Sequence, residues 1–352
     1  MSGTSLDGID AAVLETDGEN IFQTGPTTSI PYPSSFRRSL RGMFGQTAPL
    51  DKKVEEELTL RHADAVYSII KLAGLKISQL DVVGFHGQTI FHNPSEKSTC
   101  QIGNGELLAD ILGVCVVNDF RTTDVLKGGE GAPLAPVFHV ALAKGLKKPL
   151  AILNLGGVAN VTWIGSNDHF IAFDTGPGNA LIDDWIADHG RGNMDKGGRL
   201  AQKGKVNKKI LGELMEDSYF NRKYPKSLDR DYFSLSPLRA LSLEDGAATL
   251  TAFTAASVAE SRKFFSALPM RWLVSGGGRL NNEILRALNN FLGVRAEPVE
   301  IVGWDGDGLE AQAFAFLAVR SILNLPLSYP ETTGVRVEST GGQTHYPRGV
   351  SR

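Results

Sequence analysis

Phe173-Asp174-Thr175-Gly176-Pro177-Gly178-Asn179-Ala180-Leu181-Ile182-Asp183 reads as a strand end, a glycine turn and a helix start in one short stretch. The apolar run at 169–173 predicts a strand that closes at Phe173. The Gly-Pro-Gly sequence breaks it, and Gly178-Asn179 opens a helix over 178–189 whose buried stripe is Leu181, Trp185 and Ile186. A strand that passes into a helix in this way belongs to an α/β domain. Asp174 then falls at the strand end, where open α/β sheets bind ligands. Asp183 falls in the second turn of the helix, at the edge of the stripe, where it can face a cleft. Partly desolvated beside a bound phosphate, it suits a general base. The same position also fits a solvated helix acid, a part that Asp184 suits better.

The pattern repeats on either side. Strands are expected at 9–14, 28–31, 81–86, 114–117, 150–155, 159–164 and 272–275. Helices are expected at 51–74, 105–111, 207–216, 246–266, 281–291 and 307–323. Alternating elements in each half predict two α/β domains with mixed sheets. The Gly/Pro-rich stretch 126–136 is the expected boundary, giving 1–128 plus about 326–352 as one domain and 129–325 as the other. Residues 190–235, rich in Lys, Gly and Arg, read as a flexible insertion, and the tail after Leu325 as packed back on the first half or partly loose.

Composition narrows the function classes. The chain has 352 residues, 42% hydrophobic and 21% charged, with a net charge of −3. No basic nucleic-acid footprint is present at the whole-chain level, and no run approaches the ~18–20 apolar residues that span a bilayer. No signal peptide is visible, and Cys100 and Cys115 alone suit a reducing cytoplasm and exclude a disulfide scaffold. Nucleic acid and membrane are therefore not expected partners.

Three glycine turns carry the remaining signal. Ser2-Gly3-Thr4-Ser5-Leu6-Asp7-Gly8 and Asn154-Leu155-Gly156-Gly157 are both expected between strands. Ser275-Gly276-Gly277-Gly278 is expected to open a helix. Glycine lets backbone N–H groups converge on an anion, and a helix start adds a partial positive charge. Ordinary hairpin turns would use the same residues. Asp7 could hold Mg²⁺ through water. His86, Gln88, Asn118 and Arg121 follow buried strands and could line one polar pocket, with Arg121 able to pair with a substrate carboxylate. Glu310 opens an otherwise apolar helix, where a favourable contact with the helix dipole would also explain it.

Taken together, several blocks resemble the anhydro-N-acetylmuramic acid kinase family, bacterial sugar kinases of the actin/hexokinase-like superfamily. They are Met1-Ser-Gly-Thr-Ser-Leu-Asp-Gly-Ile-Asp10, Gly84-Phe-His-Gly-Gln-Thr89, Gln101-Ile-Gly103, Gly129-Glu-Gly-Ala-Pro-Leu134, Asn154-Leu-Gly-Gly157, Phe173-Asp-Thr-Gly-Pro-Gly-Asn179, Gly204-Lys-Val-Asn207, Thr249-Leu-Thr-Ala-Phe-Thr254 and Ser275-Gly-Gly-Gly278. The resemblance runs in order from residue 1 to about 325. It implies two actin-like (ribonuclease H-like) α/β domains around an ATP cleft, with the first domain holding substrate-binding residues and the second the catalytic Asp and the adenosine site.

The implied reaction hydrolyses the internal bond of 1,6-anhydro-N-acetylmuramic acid and phosphorylates O6, giving N-acetylmuramic acid 6-phosphate. It requires ATP and Mg²⁺ and belongs to peptidoglycan recycling. By this resemblance Asp183 is the base. Gly3, Thr4, Ser5, Leu6, Asp7, Gly8, Ile9, Asp10, Gly156, Gly157, Gly276, Gly277 and Gly278 are nucleotide residues. His86, Gln88, Arg121, Asp174 and Glu310 are sugar residues. A cytoplasmic homodimer is also implied. The rival readings are an inactive sugar or muropeptide sensor of the same fold and a hydrolase using Asp174 and Asp183. The sequence departs from the family at Lys226-Ser-Leu-Asp-Arg230, where Lys-Ser-Thr-Gly-Arg is usual, and at Asp307-Gly308, where Pro-Asp is usual. Family members also carry apolar residues of a first strand ahead of the opening motif. Either the true start lies upstream of Met1, or that strand is truncated, which would expose its neighbours.

Overall fold

The computed structural model describes residues 1–3, 5–46 and 50–349. It forms two compact units, Met1–Lys144 with Gly308–Arg352, and Gly145–Asp307. This division falls after the Gly/Pro stretch at 126–136, and it groups the helix Leu309–Ile322 with the first unit.

In the first unit, β1 (Gly8–Thr16) and β2 (Ile21–Pro31) form an antiparallel pair with Gly8 opposite Pro31. The second strand is thus longer than the 28–31 expected. A parallel pair joins β3 (Val82–Gly84) to β6 (Cys115–Asn118), and a hairpin joins β4 (Gln88–Asn93) to β5 (Ser98–Ile102). The tail is not loose over its described part. The strand Gln343–His345 adds antiparallel to β6, and Leu327 and Val335 are buried. The helix Lys52–Ala73 starts where the Asp51 side chain accepts from Lys53 N and stops at Gly74, whose φ of 68° suits glycine. Leu58 and Ala65 join one core of this unit and Ala63 another. A narrow cleft of about 110 Å³ runs along β1 and β3, lined by Ile9, Val13, Val66, Val82 and Ala311 among others.

In the second unit a mixed sheet runs in the order β11-β10-β7-β8-β9. Its strands are β7 (Leu150–Leu155), β8 (Val158–Ile164), β9 (Phe170–Pro177), β10 (Trp272–Ser275) and β11 (Ala296–Pro298). An α/β chain with mixed sheets is therefore observed. Trp163, Phe173, Phe253 and Trp272 are fully buried in one core.

Two expectations fail here. Residues 190–235 are folded, because Ala201, Leu214, Tyr219, Phe220 and Phe233 enter that core; their apolar and aromatic burial outweighs the polar composition. Strand β9 continues through Asp174 to Pro177, because Asn160, Ala159 and Val158 of β8 pair with Asp174, Gly176 and Pro177. Asp174 therefore lies within a strand, not at its end. Among the described residues no helix is long and apolar enough to cross a membrane.

Candidate functional site

Asp183 is placed by a close helix–helix contact. The helix Leu243–Glu260 is capped by Ser242, which accepts from Asp245 N. At Gly246 an added Cβ would lie 2.2 Å from the Trp185 ring, so only glycine lets this helix meet Ala180–Asp188 at that point. Leu181, Ile182, Trp185 and Ile186 face the core as one stripe. Asp183 sits in the first turn, not the second, because the helix starts only at Ala180.

Its carboxylate lines a cavity of about 650 Å³ with Asn179, Asp195, Lys196, Arg199, Gly277 and Asn281. Burial first, then Asp184 and Asp195, raise its pKa to about 6 against the opposing charge of Arg230. A half-buried carboxylate that titrates near neutrality is suited to taking a proton.

The 276–278 turn reaches this cavity through Gly277, and the Gly156/Gly157 turn is tied to its wall through Asn179. The Asn179 amide donates to the carbonyls of Leu155 (2.9 Å) and Gly156 (3.2 Å), tying the helix start to the Gly156/Gly157 turn. Backbone N–H groups of Gly178 and Asn179 donate to Gly157 and Gly156 carbonyls at 2.9 and 2.8 Å. An added Cβ would strike Asn154 at Gly276 (2.4 Å) and Leu155 at Gly278 (2.5 Å), so these glycines serve packing. Gly277 has nothing within 4 Å, and Gly157 meets only the Ala180 Cβ at 3.5 Å. Gly157 and Gly277 are therefore the positions where a ligand has room to approach the backbone. The triple glycine does not open the next helix as expected. A turn, Gly277–Leu280, intervenes, and Asn281 caps Asn282–Leu292 by accepting from Glu283 N and Ile284 N.

Arg279 braces this turn. Its side chain is 4% exposed and donates to Glu300 at 2.7 Å, Asp307 at 2.8 Å and the Gly276 carbonyl at 3.1 Å. Asp174 points the other way. Its Oδ2 accepts from Leu228 N at 2.8 Å and its carbonyl from the Tyr219 hydroxyl at 2.6 Å. It anchors the 226–230 loop.

A second cluster lies in the first unit. Arg121 is held by the Gly131 carbonyl (2.6 Å) and faces His86 Nε2 at 3.0–3.2 Å. Burial and the adjacent Arg121 charge push the His86 pKa well below its usual value, so the ring is neutral and accepts from Arg121. Glu310, in the first turn of Leu309–Ile322, keeps an open face to solvent. The surrounding protein raises its pKa, with Arg121 opposing and Asp10 reinforcing. Gln88 is fully buried and accepts from Ser2 Oγ at 2.6 Å, and Ser2 in turn accepts from Tyr32. Gln88 thus holds the opening loop.

The opening turn does not lie between two described strands; it leads into β1. Leu6 and Ile9 are core residues, and a Cβ on Gly8 would lie 2.3 Å from the Ile30 carbonyl. Gly3 and Ser5 keep accessible positions, and the Asp10 side chain lies near Glu310. Thr4 lies outside the described residues. Asp7 is exposed and bonded to Arg37 at 3.2 Å. Among the described residues no group of three or more His, Cys, Asp or Glu side chains is arranged to hold a metal.

Sequence reasoning missed Asp195, Lys196, Arg199 and Arg230. The signal was available in Gly197-Gly198: at Gly198 φ is 76° and a Cβ would lie 2.3 Å from Asn281 Oδ1. Such a pair marks a tight, packed turn.

The family model for anhydro-N-acetylmuramic acid kinase matches residues 1–347. The chain belongs to this family. It is similar to the anhydro-N-acetylmuramic acid kinase of Paramagnetospirillum magneticum, at 53% identity over 99% of this chain and 98% of that one. It is also similar to that of Rhodospirillum rubrum, at 54% identity over 99% and 93%. Among solved structures, a ROK family glucokinase from Streptomyces griseus in complex with glucose and AMPPNP aligns over 90% of this chain and 97% of its own, with 14% identity and a TM-score of 0.41.

Proposed function

We propose that this chain is an ATP-dependent kinase acting on 1,6-anhydro-N-acetylmuramic acid. It adds water across the anhydro bond, moves the γ-phosphoryl group of ATP to O6, and releases N-acetylmuramic acid 6-phosphate and ADP. The family and its named relatives supply the substrate and the reaction. The observation that carries the chemistry is the Asp183 carboxylate, half-buried on a cavity wall beside two glycine turns, with a pKa raised to about 6.

Asp183 takes a proton from the attacking water, which adds to C1 as the C1–O6 bond breaks. The freed O6 accepts the phosphoryl group. For this the carboxylate must come within ~3 Å of the water in the bound complex. Phosphoryl transfer itself rests on positioning and charge stabilisation. The Gly157 and Gly277 backbones offer close approach to phosphate, and in the first unit Gly3 and Ser5 keep accessible positions of their own. The fixed Arg121 cation suits the substrate carboxylate, and Glu310 suits a sugar hydroxyl. Gln88 and Asp174 act by holding loops.

Asp7 is exposed and bonded to Arg37, and as a lone carboxylate it suits a Mg²⁺ ion held through water. Such an ion would keep most of its waters and neutralise charge on the ATP phosphates. A cytoplasmic homodimer completes the proposal. The test is incubation with the anhydro sugar and Mg²⁺, with and without ATP, followed by mass detection. A product heavier by one water and one phosphoryl group, formed only with ATP, is expected. Water addition without ATP would point to a hydrolase, and no product from folded protein would remove the kinase reading.

A further inference from the structure

Two adjacent carboxylates on one helix diverge. Asp183 lines the cavity, whereas Asp184 accepts from Arg230 Nη2 at 2.7 Å. Arg230 is itself preset. Its Nη1 donates to Asp231 at 2.7 Å, and Asp231 N donates to Asp229 Oδ1 at 2.8 Å. The loop is anchored behind by Lys226, 6% exposed, whose ammonium lies 4.4 Å from the Tyr219 ring centre and 5.0 Å from that of Phe264. Leu228 N, bonded to Asp174, adds the second anchor.

We propose that Arg230 is a positioning residue for the reaction: it binds Asp184, offsets that charge, and so keeps the neighbouring Asp183 ionised and directed at the cavity. The inference rests on Asp183 being the base of the proposed kinase.

Several other charged groups surround Asp183. Asp184 lies on its own helix, and Asp195, Lys196 and Arg199 come from the turn across the cavity. Glu283 comes from the start of Asn282–Leu292. Asp195 is spent on the backbone N–H groups of Leu200 and Ala201, and Glu283 pairs with Arg286. The buried stretch 246–258 of the helix packed behind carries no charge. Arg230 is the cation tied directly to the helix that bears Asp183.

The test compares pH profiles of kcat/KM for wild type, Arg230→Gln, Arg230→Lys, Asp184→Asn and the double variant Arg230→Gln with Asp184→Asn. Arg230→Gln is expected to move the acid limb up by ~0.5–1 unit. That is a loss of ~3–10-fold below the limb, with little change well above it. Arg230→Lys keeps the limb in place, Asp184→Asn lowers it, and the double variant returns it towards wild type. A limb that stays put in Arg230→Gln while activity falls equally at every pH overturns the proposal, as does Arg230→Lys behaving like Arg230→Gln. Should Arg230→Gln not fold, a limb unmoved by Asp184→Asn overturns it. The same titration read from the Asp183 carboxyl carbon by NMR, identified by its loss in Asp183→Asn, needs no turnover. It separates failure of this inference from failure of the kinase reading.

Discussion

The Asn179 side-chain amide donates to the Leu155 carbonyl at 2.9 Å, so the helix that carries Asp183 and the turn that offers Gly157 are one mechanical piece. Removing the amide in Asn179→Ala leaves carbonyls of Leu155 and Gly156 without that donor. The expected cost is ~1–3 kcal/mol of stability, read by denaturant unfolding, with a larger proportional loss of kcat than the Tm shift alone would give.

Asp183→Asn separates activity from stability. Turnover should fall by at least ~10²-fold, as for loss of a general base, with ATP binding retained. The folded pKa of about 6 lies above the ordinary aspartate value of 3.8, so the folded state binds this proton more tightly than the unfolded one. The group's favourable contribution is therefore full below pH ~4 and is lost as pH rises through ~6. The neutral Asn variant should accordingly be more stable than wild type at pH 7.5, by ~1–3 kcal/mol before solvent screening reduces it. The gap should close towards pH 4. Chemical denaturation at the two pH values checks this; a variant less stable at pH 7.5 would contradict it.

Gly178 and Gly157, in facing turns, should answer differently to alanine. A Cβ at Gly178 lies 2.3 Å from the Gly156 carbonyl, whereas one at Gly157 touches only the Ala180 Cβ at 3.5 Å. Gly178→Ala should cost several kcal/mol or prevent folding. Gly157→Ala should leave the Tm nearly unchanged and raise the KM for ATP on the order of tenfold, the loss of about one close backbone contact.

Much of this site was legible in the sequence. The strand–turn–helix at 170–183 and the three glycine turns follow from glycine chemistry and apolar spacing. The Asp51 cap and Gly74 stop are local signals, and the helix there falls where expected. Other features were not legible because they depend on contacts distant in sequence. Nothing in Asp174 itself announces that Leu228 N and Tyr219 will claim it, or that β8 pairing carries the strand to Pro177. The 190–235 stretch misled by composition: a few aromatic residues decide its burial, and while its other Lys residues are exposed, Lys226 is buried against the Tyr219 and Phe264 rings. Nothing local shows that Asn154 and Leu155 leave no room for a side chain at Gly276 and Gly278.

Arg279 offers a further check on the glycine turn. Breaking its contacts with Glu300, Asp307 and Gly276 in Arg279→Ala should cost ~2–4 kcal/mol, moderated because both acidic partners reach solvent. The turn at Gly277 should loosen with it, seen as faster backbone amide exchange over 276–281 than in Asp183→Asn.

The central claim is that this chain couples water attack at C1 to phosphoryl transfer onto O6. The most direct measurement is a single reaction with the anhydro sugar, ATP and Mg²⁺ in ¹⁸O-labelled water, with fragment masses of the sugar phosphate read before the anomeric oxygen exchanges. The account predicts one labelled oxygen on C1 and none in the phosphate. Phosphorylated product without label at C1, or label carried in the phosphate, would contradict it.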